Sequence, residues 1–210
     1  MTTSVIYADA DDGTVSAQST AYSTARTGTG TAVGDTQSFV TVGQRFASPN
    51  YSCYEGFLAF NCSAIGPGAT ISAAVLDLWG FQDLSTTDFT MEWRLLNWST
   101  PLAFASYVSG ASLASTTPLL CHFDTSTPWA TGAYNTMVDD AMAANINQGG
   151  STRMMGSSSR ERNNNTPSGE ERVTFRSTDQ TGTAEDPMLT VTWTAGGGGG
   201  AGKSQVVVFG

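Results

Sequence analysis

Apolar and polar residues alternate with a period of two along most of this chain, a pattern that predicts antiparallel β-strands with one face in a core and the other in water. The cleanest case is PMLTVTWT (187–194), where Leu189, Val191 and Trp193 alternate with Thr190, Thr192 and Thr194. In TDFTMEWRLLNW (87–98), Phe89, Met91, Trp93 and Leu95 alternate with Thr90, Glu92, Arg94 and Leu96. VIYA (5–8), TVSAQ (14–18), QSFVTVGQRF (37–46), LLCHF (119–123), STRMMGSS (151–158) and ERVTFRST (171–178) read as further strands. The densest apolar stretch, Tyr54 to Trp79, reads as two strands, Glu55–Phe60 and Thr70–Trp79, joined by SAIGPGA, whose glycines and proline continue neither. This pair is expected at the centre of about nine strands in an antiparallel β-sandwich or jelly roll.

One segment breaks the period. Met137, Val138, Ala141, Met142 and Ile146 follow helical spacing, with Asn135 or Thr136 as N-cap, Asp139 and Asp140 in the first turn and Gly149 as the stop. A single short helix over 136–147 is predicted, its methionine stripe packed on the sheet. TARTGTGTAVGD (24–35) reads as a Gly/Thr loop without the GK[ST] ending that a phosphate loop needs. ADADDG reads as a turn between the first two strands, and RERNNNTPSG as the polar tip of a hairpin formed by 151–158 and 171–178. The domain is expected to span 1–194, followed by a Gly-rich linker (195–202) and an apolar tail (203–210). In that tail Val206, Val207, Val208 and Phe209 are strongly β-prone, and they are expected to anchor the chain by pairing with a neighbour's open strand edge or filling an apolar groove.

Charge narrows the partners. Only 13% of residues are charged and the net charge is −9, with Lys203 the single lysine, which argues against nucleic acid. Five of the eight arginines, Arg153, Arg160, Arg162, Arg172 and Arg176, fall in the candidate hairpin and are expected in solvated faces and local ion pairs. No run approaches the ~20 apolar residues of a membrane span. The opening MTTSVIYADADDG has neither a basic n-region nor an apolar h-region, so synthesis in a cytoplasm is expected. Cys53, Cys62 and Cys121 are an odd set; with Cys53 and Cys62 bracketing an extended strand, all three read as reduced, mostly buried thiols.

Candidate chemistry is sparse. A Ser/His/Asp arrangement has only His122 to draw on, and no nucleophile motif accompanies it. Asp124, the acid most suggestive of a site, opens a Ser/Thr-rich loop and reads as an Asx-turn. No cofactor is implied, and structural calcium stays open through the weak candidates Asp9, Asp11 and Asp12, which lack the glycine and distal glutamate of an EF-hand loop. The chain reads as non-enzymatic. Sugar rings would stack on exposed loop aromatics, for which Trp98, Phe104, Tyr107, Trp129 and Tyr134 are the candidates; Trp79, Trp93 and Trp193 sit on alternating strands and are expected in the core.

GFLAFNCSAIGPGATISAAVLDLW resembles the hallmark of the DNRLRE (disaggregatase-related) domains, a strand ending in F-D-x-S-x-I, a Gly/Pro turn and an A-T-I-x-x-A-x-L-x-L strand, with Asn61 in the aspartate's place. INQGGSTRMMGS (146–157) and VTFRSTDQTGTAEDPMLTVTW (173–193) are similar to later phrases of that family, the last with Trp193 where tyrosine is usual. The resemblance covers roughly 14–194 and implies a jelly roll like those of carbohydrate-binding modules, found in polysaccharide-active surface proteins and in bacteriophage virion proteins. Two functions are therefore expected, and a receptor-binding virion protein would combine them. One is a virion structural protein, a tail-tip, fibre or capsid-decorating component that contacts other virion proteins or further copies of itself. The other is a module that recognises a host-surface glycan or other polysaccharide.

Overall fold

The computed structural model describes residues 1–113 and 118–196. Among them are thirteen strands: β1 (Thr2–Tyr7), β2 (Gly13–Ser19), β3 (Ala32–Gly34), β4 (Phe39–Ala47), β5 (Asn50–Asn61), β6 (Thr70–Asp83), β7 (Thr90–Leu95), β8 (Leu119–Asp124), β9 (Tyr134–Thr136), β10 (Val138–Asp139), β11 (Ser151–Ser158), β12 (Glu170–Arg176) and β13 (Met188–Thr194). Two short helices, α1 (Tyr22–Thr27) and α2 (Ser159–Arg162), complete the regular structure with two turns of 3-10 helix. The main path runs β1-β13-β6-β12-β4-β5-β11-β7-β8-β10, with β2 and β3 beside β5 and β9 beside β6, every pair antiparallel. This is an all-β sandwich of the jelly-roll class.

Every strand expected from the alternation is present, but several partners differ. The two strands expected as a central pair, β5 and β6, do not pair: β5 lies against β2, β4 and β11, and β6 against β13, β12 and β9. Their connector carries fully buried Ile65 into the main core and so takes the chain from one layer to the other. The expected hairpin of 151–158 and 171–178 is likewise absent, because β11 pairs with β5 and β7 while β12 pairs with β4 and β6. Nor do β1 and β2 form a hairpin across ADADDG.

β6 joins the layers. Its first half pairs with β13 and its end with β12, and the exchange falls at Gly80. A Cβ there would overlap the Ala130 carbonyl and the side chains of Asn135 and Trp129, so only glycine lets this loop lie against the bend. The main core fills the space between layers with Leu58, Phe60, Leu76, Leu78, Met91, Trp93, Phe175, Leu189 and Val191. A second apolar cluster, including Val15, Tyr22, Phe57, Trp98, Leu102, Tyr107 and Met155, lies under α1 and the 96–113 segment. Phe57 and Ala59 of β5 serve the second cluster while Leu58 and Phe60 serve the first. Burial on both faces is why this strand runs apolar from Phe57 to Phe60 instead of alternating.

The helix expected over 136–147 is not there. Met137, Met142 and Ile146 are buried as the stripe required, but Val138 is 55% exposed. The backbone turns to strands nearby: Met137 N–H donates to Leu76 O, and the N–H groups of Asp140 and Ala141 donate to Leu120 O. Only Ala143–Asn145 makes a helical turn, of 3-10 type. Apolar residues at this spacing suit a meander that dips repeatedly into a core as well as a helix, and strands with open backbone groups decide between them.

Candidate functional site

Three of the five loop aromatics, Trp98, Tyr107 and Trp129, do not offer stacking faces. Trp98 is 5% exposed: its ring meets Phe57 edge-on with centroids 5.7 Å apart, Arg153 lies 5.2 Å over it, and its Nε1 donates to Met154 O. Trp129 is 4% exposed, edge-on to Phe123 at 5.1 Å, with Nε1 donating to Thr174 O. Tyr107 is buried and its hydroxyl meets Glu161 Oε1 at 2.6 Å. These three rings pin loops to the sheets, correcting the expectation that they face a sugar. Tyr134 is half-buried, held edge-on to Trp79 at 5.1 Å with its hydroxyl against the carbonyls of Ala184 and Asp186. Phe104 is exposed at a shallow apolar recess with Val33 and Leu102. Of the three strand tryptophans expected in the core, Trp93 is fully buried, whereas Trp79 and Trp193 are half-buried.

The acids at the first turn separate. Asp12 points inward with no exposed surface, Oδ2 accepting from Thr178 N at 2.9 Å and Oδ1 from Thr178 Oγ1 at 3.0 Å. Burial pushes its carboxyl up to about 7, against those two hydrogen bonds, which favour the anion. Asp9, Asp11 and Asp12 form no cluster, and no group of three or more His, Cys, Asp or Glu among the described residues is placed to hold a metal. Asp124 closes the expected Asx-turn, its Oδ1 accepting from Ser126 N at 2.9 Å. His122 Nδ1 lies 2.7 Å from Asp140 Oδ2 near the β8–β10 edge. The three cysteines are free and buried. Among the described residues no helix is long and apolar enough to cross a membrane. The linker from residue 197 and the tail residues Val206, Val207, Val208 and Phe209 lie outside the described residues.

A polar layer lies sealed beneath α1, α2 and the 96–113 segment. Glu55 and Glu161 have no exposed surface. Glu55 Oε2 accepts from Val108 N at 2.8 Å, and Arg26 donates to the backbone carbonyls of Glu161, Arg162 and Gly110. Burial raises both carboxyls, and the charge of Glu161 raises Glu55 further, so the pair holds protons well above the ordinary glutamate range. Burial and the neighbouring Glu161 also raise the Cys53 thiol and the Tyr107 phenol. Beside them, burial works against the Glu92 charge, but hydrogen bonds from Arg162 and Arg94 outweigh it and hold that carboxyl below its usual value. Glu171 is fixed by Gln44 and Arg160, each at 2.7 Å, and Tyr22 donates to Gln44 Oε1. The one local signal was Glu55 itself, a charge inside the apolar run YEGFLAF. Of the five clustered arginines, Arg160, Arg162, Arg172 and Arg176 pair with Glu171, Glu92, Glu170 and Glu185, as the ion-pair reading expected.

Two features face outward. A recess of about 250 Å³ is lined by Thr14, Ser16, Thr41, Arg45, Tyr54 and Arg172, with both guanidiniums within 5.8 Å of the Tyr54 ring centre. The second is β1 and the sheet face it borders. Among the described residues β1 pairs with β13 alone. Five large hydrophobic side chains are exposed among the described residues, and three of them, Met1, Val5 and Tyr7, belong to β1 or the residue before it. In register with them run Val5–Thr190–Val75 and Tyr7–Met188–Asp77–Thr136 across the sheet. No protein-family model matches this chain, and a search of curated proteins finds no match.

Proposed function

We propose that this chain is a non-enzymatic structural component of a bacteriophage particle, a tail-tip, fibre or capsid-decorating protein, with its jelly roll as a rigid block and its contacts made through a sheet edge and the C-terminal tail. The particle setting comes from the resemblance to virion-borne DNRLRE domains. The observation that carries an assembly role is the uncharged, open strand β1 with Met1, Val5 and Tyr7 exposed, since monomeric β proteins usually blunt such edges with charge, proline or a cover. The sealed position of Glu55, Glu161 and Asp12 supports a role without catalysis, because these strongly shifted carboxyls meet no solvent and hence no substrate.

Light scattering on the full-length chain across a concentration series tests this reading. A defined oligomer supports it; a monomer at every concentration, alone and mixed with particles lacking this chain, refutes it. A second reading, glycan recognition, draws on the half-buried Tyr134–Trp79 pair and exposed Phe104. It requires glycan-array binding that Tyr134→Ala or Phe104→Ala abolishes.

A further inference from the structure

We propose that the open edge of β1 receives residues 205–209 of a second copy of this chain as an added antiparallel strand. The inference rests on the assembly reading above and names its partner.

The two ends of the sheet path differ. At one end β10 is two residues long and contains Asp139, a short charged edge of the kind that resists pairing. At the other end β1, TTSVIY, is six residues long with no charge, no proline and, among the described residues, no partner on its outer side. Its row of backbone donors and acceptors is a template for one more strand.

Side chains on both faces of that edge suit the tail. Ile6 packs toward the main core, whereas Val5 and Tyr7 stand on the opposite face. A strand added here therefore meets apolar neighbours on each side of the sheet. Most edge strands alternate and present a polar face to water, but Val206, Val207, Val208 and Phe209 are apolar at every position. Five residues, from Gln205 to Phe209, fit within the six of β1.

The direction of the chain favours a second copy over the chain's own edge. β13 is antiparallel to β1, with Trp193 opposite Thr2, so a tail folding directly back onto its own β1 would lie parallel to it, the slightly weaker pairing. A Cβ on Gly196 would overlap the Gly68 carbonyl, which places the end of the described chain toward β6, on the far side of β13 from β1. Residues 197–204 separate Gly196 from Gln205, and eight residues extend at most about 26–29 Å. That is enough to reach an adjoining subunit. Donor and acceptor are different surfaces, so copies exchange tails in a closed ring or pair, or continue as a filament.

The test compares the full-length chain, a version ending at Ala195, and full-length Val5→Lys, with circular dichroism confirming that each is folded. Light scattering is expected to show an oligomer for the first and monomers for the other two. A labelled KSQVVVFG peptide is expected to bind the version ending at Ala195, and to bind it about tenfold more weakly when it also carries Val5→Lys. A scrambled peptide is the control. If the version ending at Ala195 keeps the full oligomer mass, the tail is not the partner although the assembly reading stands. A monomeric full-length chain whose β1 amides exchange more slowly than those of the truncated version places the tail on its own copy and overturns the inference. A monomeric full-length chain with no peptide binding overturns both.

Discussion

Replacing Asp12 with asparagine should make the protein more stable in mild alkali and leave it unchanged in acid. Asp12 closes the turn after β1, its N–H donating to Asp9 O, and ties that turn to the segment after β12 through Thr178. Burial raises its carboxyl from the ordinary 3.8 to about 7, so the folded state holds this proton more tightly than the unfolded chain. The stability from the neutral form is therefore fully present below 3.8, declines as pH rises toward 7, and is gone above it. At about 1.36 kcal/mol per pH unit, the loss amounts to ~4 kcal/mol. Asparagine has the same shape and no charge. Its amide oxygen can accept from Thr178 N–H and its amide nitrogen can donate to Thr178 Oγ1. Asp12→Asn should thus gain up to ~4 kcal/mol at about pH 8, a rise of roughly 10 °C in Tm, and close to nothing at about pH 4. Thermal melts of both forms across that range, with and without calcium, decide it. A variant less stable than the parent at pH 8, or one that follows the parent at every pH, would refute the reasoning. Calcium that stabilises only the parent would do the same by making Asp12 a metal ligand.

Other expectations follow from the interior. Glu55→Gln should stabilise the fold above neutral pH and give no gain below about 4.5, because a raised glutamate loses its contribution as pH climbs; urea melts at the two extremes read the difference. Gly156→Ala places a Cβ 2.9 Å from the Trp93 indole, and overpacking of this kind should cost about 1–3 kcal/mol in denaturant unfolding. Trp98→Ala removes the ring packed on Phe57 and under Arg153, for a loss of about 3–5 kcal/mol. Should that variant keep its stability while losing binding to a glycan array, Trp98 is a ligand contact and its burial has been misjudged.

Much of this protein is local information. Alternation in PMLTVTWT and TDFTMEWRLLNW marks β13 and β7 because a strand's two faces are set by its own pleat, whatever lies beside it. The turn at Asp124 was legible for the same reason, since neighbouring residues alone decide it. Partnership is different. Any strand's backbone groups match any other's, so nothing within β5 or β11 says that they pair with each other while their sequence neighbours β6 and β12 lie elsewhere. The same holds for Trp98, Tyr107 and Trp129, whose loop positions suggested exposure until sheet faces closed over them. It holds for 136–147, where open backbone groups on β6 and β8 displaced a helix that the spacing allowed. It holds also for Glu55 and Glu161, 106 positions apart in sequence, which only the cover of α1, α2 and the 96–113 segment brings into one sealed layer. Pleat and turn chemistry act over a few residues and can be read along the chain, while pairing and burial depend on surfaces that meet only after the chain has crossed between layers.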